Sequence, residues 1–236
     1  MSEEFIAFEC FSGGVSTGTT LKMKIDELRE LVAASKDTEG LNTTAEVCLI
    51  GLIAYFESFC KDTFAAIINI HPDIVYDFSL KRDDVIVNAT DILIAGDNVR
   101  HKLGFLLAEK YDFGSAKSIN NLYNALLKVS PLSRDEVDKF NKLLNDRNLL
   151  VHHGGVYTMK SATDIYIRRL IKDKVFYDSL VVSKKDFNMW ADFIDGIARK
   201  MCQACHDALE AILQRNTAEI ERQQEIGLEY LKEYGF

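Results

Sequence analysis

The stretch Ala45–Ile70, AEVCLIGLIAYFESFCKDTFAAIINI, limits what this chain can become more than any other segment. It contains no proline and ends at His71-Pro72, where proline drives the preceding residue out of helical geometry. Read as a helix, it is apolar over more than half its circumference, with Glu57, Lys61 and Asp62 interrupting one side. Such a helix has to be enclosed by others, so this one is expected at the centre of the fold. Asn42 or Thr43 can cap its start, with Glu46 at the reciprocal position of a capping box.

The flanking sequence supplies partners for it. Leu21, Ile25, Leu28 and Val32 recur at helical spacing, which predicts an amphipathic helix after an N-terminal arm over 1–20. Residues 73–97 are mixed and hold a short helix. Val99–Lys110 and Ala116–Lys128 predict two short helices separated by Asp112-Phe113-Gly114. Ser133-Arg-Asp-Glu136 is a capping box, and Val137, Phe140, Leu143, Leu144 and Val151 carry that helix to Gly154-Gly155. Residues 156–182 are the one β-like region and predict a small hairpin or irregular insertion. Lys185–Glu233 reads as one long helix, with Phe187, Trp190, Phe193, Ile194, Ile197 and Met201 on its buried face and Gly227 bending its end. With only Pro72 and Pro131 among 236 residues, the expected class is all-α, a single helical domain over 1–236.

Several function classes lose support at this point. The acidic start MSEEFIAFECFSGG has no basic region before an apolar run, so no signal peptide is expected. No run of about 18 uncharged apolar residues occurs, so no membrane span is expected either. The odd count of five cysteines then predicts reduced thiols in a cytoplasmic protein. A net charge of −8 argues against a general polyanion binder, yet Lys160–Lys200 carry nine Lys/Arg against six Asp. Within that region Arg168, Arg169, Lys172 and Lys174 are the candidates for guiding a phosphate backbone. Gly14-x-x-x-Gly18 lacks the Gly-Lys-Ser/Thr ending of a phosphate loop. Cys202-Gln-Ala-Cys205-His206 spells a haem-attachment sequence, but it lies inside an amphipathic helix, and no second Cys/His pair completes a zinc set. It reads as packing thiols beside a surface histidine, so neither a metal nor a cofactor is expected. The aromatics Phe187, Trp190 and Phe193 read as core rather than as base-stacking platforms.

The segment DRNLLVHHGG, residues 146–155, collects protonatable groups where a helix stops. Asn148 and His152, at i and i+4, share a helical face, while Arg147 stands about 140° round from His152. Imidazole moves protons near neutral pH, and guanidinium matches the extra charge of a pentavalent phosphate. A plainer assignment has the histidines capping the helix C-terminus and Arg147 in an ion pair.

The run Arg147-Asn148-Leu-Leu-Val-His152, followed by His153-Gly154-Gly155, resembles the arginine-to-histidine signature of the HEPN superfamily in its Arg-Asn-x-x-x-His form. The helix AYFESFCKDTFAAIINIHPDIV is also similar to the long second helix of HEPN-domain proteins. The resemblance implies an up-down bundle with a long C-terminal helix that forms homodimers, with motifs facing each other across the interface. It also implies a metal-independent endoribonuclease that cuts RNA by 2′-OH attack and leaves a 2′,3′-cyclic phosphate, as a toxin or antiviral defence effector. Carried over, His152 is the general base or acid, Arg147 stabilises the transferring phosphate, and Asn148 holds the pair. His153 is either a second proton carrier or only a neighbour, and Glu57 is a candidate supporting carboxylate. The alternative is a catalytically inactive helical dimer that binds RNA, a nucleotide or a partner protein such as an antitoxin or nucleotidyltransferase. The intact Arg147/His152 pair favours the enzyme; the acidic net charge leans toward the binder.

Overall fold

A computed structural model of the chain describes residues 7–36, 42–96, 99–158, 179–216 and 220–235. Among these the protein is all-α. Two 3₁₀ turns, Ala7–Cys10 and Ser12–Gly14, precede α1 (Thr17–Ala34) and α2 (Thr43–Ile70). Next come α3 (Ile74–Ser79), α4 (Ala89–Ala95), α5 (Val99–Ala108), α6 (Ala116–Leu127) and α7 (Arg134–His153). The chain closes with α8 (Lys184–Asn216) and α9 (Arg222–Lys232).

The central position expected for α2 is what the structure has. It packs against α1, α5, α7, α8 and α9, and its side chains Leu52, Ile53, Phe56, Phe64 and Ile67 are fully buried. Asn42 caps it through its side-chain oxygen, which accepts the Ala45 N–H at 2.9 Å. Its 18-residue window of mean hydropathy 1.3 is long and apolar enough for a membrane span by length and composition, against the expectation of none. Five neighbouring helices pack on α2, and 44% of that window is buried.

Two features fix α2 to its neighbours. Phe64 meets four rings, those of Phe78, Tyr111, Phe113 and Tyr123, at centroid separations of 5.6 to 6.0 Å. On another side Gly104 lets α5 press against α2, since a Cβ there would lie 2.0 Å from the Ala65 carbonyl oxygen. Asn69 uses that closeness. Its Oδ1 accepts the Gly104 N–H at 2.7 Å, and its Nδ2 donates to the Cys10 carbonyl at 3.2 Å. One buried carboxamide thus ties α2, α5 and the N-terminal turn together, leaving none of its own polar atoms stranded.

Three expectations need correction. Within the arm expected over 1–20, the residues from 7 on are folded: Ala7, Cys10 and Phe11 are buried, and α1 starts at Thr17 under a Ser16 cap, four residues before Leu21. Gly18 is accommodated there because α1 lies against the Glu233 carbonyl and Cys202, leaving no room for a Cβ. The final long helix is interrupted between Asn216 and Arg222, so that α9 turns back onto α8 and α2. Gly227 does not bend it; it seats α9 against Ile70, whose Cγ1 would be 2.9 Å from a Cβ at that position. Residues 73–97 hold two short helices rather than one, and α4 buries none of its side chains. Of the β-like region 156–182, residues 159–178 lie outside those described; at its ends Val156 and Ser179 form one antiparallel bridge.

Gly104→Ala should destabilise the protein by about 1–3 kcal/mol or more, because the obstacle is backbone and cannot rotate away. Gly196→Ala, in α8 with nothing within 4 Å of the new Cβ, should instead stabilise by about 0.5–1 kcal/mol. Urea unfolding of the two variants beside wild type checks both signs.

Candidate functional site

The helix that carries the motif is built as its sequence indicates. Ser133 Oγ accepts the Glu136 N–H at 3.4 Å, and Glu136 Oε2 accepts the Ser133 N–H at 2.7 Å, closing the capping box. At the far end Gly154 adopts left-handed geometry (φ 57°), and the Gly155 N–H bonds the Leu149 carbonyl at 3.1 Å. The helix stays regular through His153, so no distorted last turn swings Arg147 toward His152.

Regularity separates the motif into two groups. Arg147 faces α2, where its Nη2 donates to Glu57 Oε1 at 2.8 Å, both side chains being 26% exposed. Asn148, His152 and His153 stand on the solvent side, the two imidazole centroids 6.4 Å apart and edge-on. The structure therefore joins Arg147 with Glu57 and leaves Asn148, His152 and His153 exposed. It does not put Arg147 and His152 on one face. Arg168, Arg169, Lys172 and Lys174 lie outside the described residues.

A third group enters that sequence reasoning passed over. The Asp112-Phe113-Gly114 turn, read only as a separator of helices, lies against Glu57. A Cβ at Gly114 would sit 3.0 Å from Asp112 Oδ1 and 3.6 Å from Glu57 Oε1. Asp112 Oδ1 accepts the Gly114 N–H at 2.8 Å, so the turn is self-held. Its Asp-x-Gly spelling was a signal for the turn but not for where the turn would land. Burial pushes the Glu57 carboxyl above its ordinary range; Arg147 opposes this through charge and hydrogen bond, and Asp112 adds to it. Glu57 thus stands between the Arg147 guanidinium and the Asp112 turn.

The remaining sequence candidates resolve as packing. Cys202 and Cys205 are fully buried in α8, and burial raises both thiols, Cys202 to about 12, so neither is a ready thiolate. His206 is buried rather than on the surface, its Nδ1 2.9 Å from Asp207 Oδ1, because α9 and α2 close over that part of α8. Phe187 and Trp190 are buried and Phe193 packs against the core. Among the described residues no group of three or more His, Cys, Asp or Glu is arranged to hold a metal ion. Searches against family models, curated proteins and solved structures give no match to this chain.

Because the folded-state value of Glu57 is raised, its contribution is complete below about pH 4.5 and is lost as pH climbs through the folded value. Arg147→Met removes both influences holding that value down and should extend the loss upward in pH. The variant is expected to be about 1–2 kcal/mol less stable than wild type at pH 7, with the gap closing toward pH 4.5. Adding Glu57→Gln should abolish that pH dependence. Urea midpoints between pH 4.5 and 7.5 measure it.

Proposed function

We propose that this protein is a metal-independent endoribonuclease of the HEPN type, an up-down bundle acting as a homodimer. Its reaction is attack of a ribose 2′-OH on the adjacent phosphate, leaving a 2′,3′-cyclic phosphate. The observation that carries the reading is the local build of α7. Its last turns set Asn148 and His152 at i and i+4 on the exposed side of the helix, just ahead of the glycine stop. His152 moves the proton of the 2′-OH, and Asn148, one turn back, holds the imidazole or the phosphate. Arg147 contributes charge to the pentavalent phosphate.

Since Arg147 and His152 of one chain face different ways, the reading requires the guanidinium of one protomer to serve the imidazole of its partner. The biological setting that fits is a toxin or defence effector in the cytoplasm, restrained by an antitoxin or a nucleotidyltransferase. A second reading, an inactive helical dimer that binds RNA, nucleotide or a partner protein, gains from one specific observation. Arg147 is already engaged by Glu57 with Asp112 close by, so an incoming phosphate has to compete for it.

Incubation with RNA in EDTA, followed by end-group determination, separates the two. Wild type should cut and leave cyclic phosphate ends, and His152→Ala should be slower by at least about 100-fold. The Tm of His152→Ala should be unchanged, since the side chain is exposed. Mixing Arg147→Met and His152→Ala protomers should restore cleavage if the site is shared across the dimer. Equal cleavage by wild type and His152→Ala, or cleavage only with added metal, overturns the assignment.

A further inference from the structure

Away from the motif, Tyr55, Ser58, Phe59 and Asp62 form a stripe on α2 at i, i+3, i+4 and i+7, about 150° round the helix from Glu57. With Val15 and Lys24 they line a cleft of about 240 Å³ between α2 and the start of α1. The charges around it do not cancel. Lys24 is engaged by Glu27 at 2.8 Å, and Lys61 by Glu109 at 2.6 Å. Asp62 receives only the Ser58 hydroxyl, at 3.2 Å, and has no ion-pair partner among the described residues. Burial pushes its carboxyl above the ordinary range, which neither the hydroxyl nor nearby Lys61 offsets. The cleft therefore has in its partly desolvated wall a carboxylate that no ion pair engages among the described residues.

The other wall is aromatic. Tyr55 is 40% exposed, and the Lys24 ammonium stands 5.9 Å from its ring centroid, so the face of that ring already receives a cation. Phe59 and Val15 supply apolar surface beside it. A carboxylate with no ion-pair partner among the described residues, an aromatic face and an apolar floor together specify one ligand chemistry. We infer that this cleft binds a small organic cation, a primary ammonium on an apolar stem, with the ammonium against Asp62 and the stem along Tyr55 and Phe59. The ammonium supplies the donors and the positive charge that Asp62 lacks. The site is independent of RNA cleavage.

Calorimetric titration of the full chain with benzylammonium chloride at constant ionic strength tests this, with neutral benzyl alcohol as the isosteric control. Benzylammonium should bind saturably and at least about tenfold more tightly than benzyl alcohol. Asp62→Asn should weaken it about tenfold, and Tyr55→Ala about fivefold. Both variants should melt as cooperatively as wild type, since Tyr55 is exposed and Asn keeps the shape of Asp62. Absence of saturable binding up to about 10 mM, equal affinity for the alcohol, or unchanged affinity in Asp62→Asn overturns the inference.

Discussion

Everything in this fold depends on enclosing α2. Its apolar circumference draws five helices around it, and the strip they leave open is where Glu57, Lys61 and Asp62 fall. Glu57 sits on one edge of that strip and Asp62 on the other. Both carboxylates are held between solvent and core, and burial pushes both above their ordinary range. Both perturbed carboxyls lie where enclosure is incomplete, because there a charged group keeps part of its water and still feels a reduced dielectric.

The Glu57–Arg147 contact shows how one requirement constrains the other. A half-buried guanidinium needs an acceptor, and Glu57 meets that need from the neighbouring helix. The same contact holds Arg147 on the face of α7 opposite to its imidazoles. In the ribonuclease proposed above, stability of the single chain and the phosphate site would draw on the same side chain, and a composite site contributed by two chains is the arrangement that meets both demands.

Local rules made much of the architecture legible. The Ser133–Glu136 box, the Gly154 stop and the span of α2 depend on residues within one or two turns of each other, so their spelling suffices. What escaped was tertiary. The interruption after Asn216 follows from α9 folding back onto α8 and α2, and helical periodicity continues across it in the sequence. Gly18 and Gly227 look like breakers in a linear reading, yet both sit inside helices because other elements approach too closely for a side chain. At the candidate site helical spacing set Asn148 with His152 and put Arg147 about 140° away, leaving open whether the helix end would bring them together. Only the regular α7 backbone divides them between two faces, and only the path of the chain brings Asp112 to Glu57.

The bridge between Val156 and Ser179 has a consequence for how this chain can vary. The Leu180 N–H bonds the Gly155 carbonyl at 2.8 Å, so the two ends of the intervening segment are pinned together directly beyond α7. The entropy of closing such a segment rises only with the logarithm of its length, about 0.6 kcal/mol per doubling. The exit from α7 and the approach to α8 are thus tied by main-chain groups, so side-chain changes at Val156, Ser179 or Leu180 should leave that tie in place.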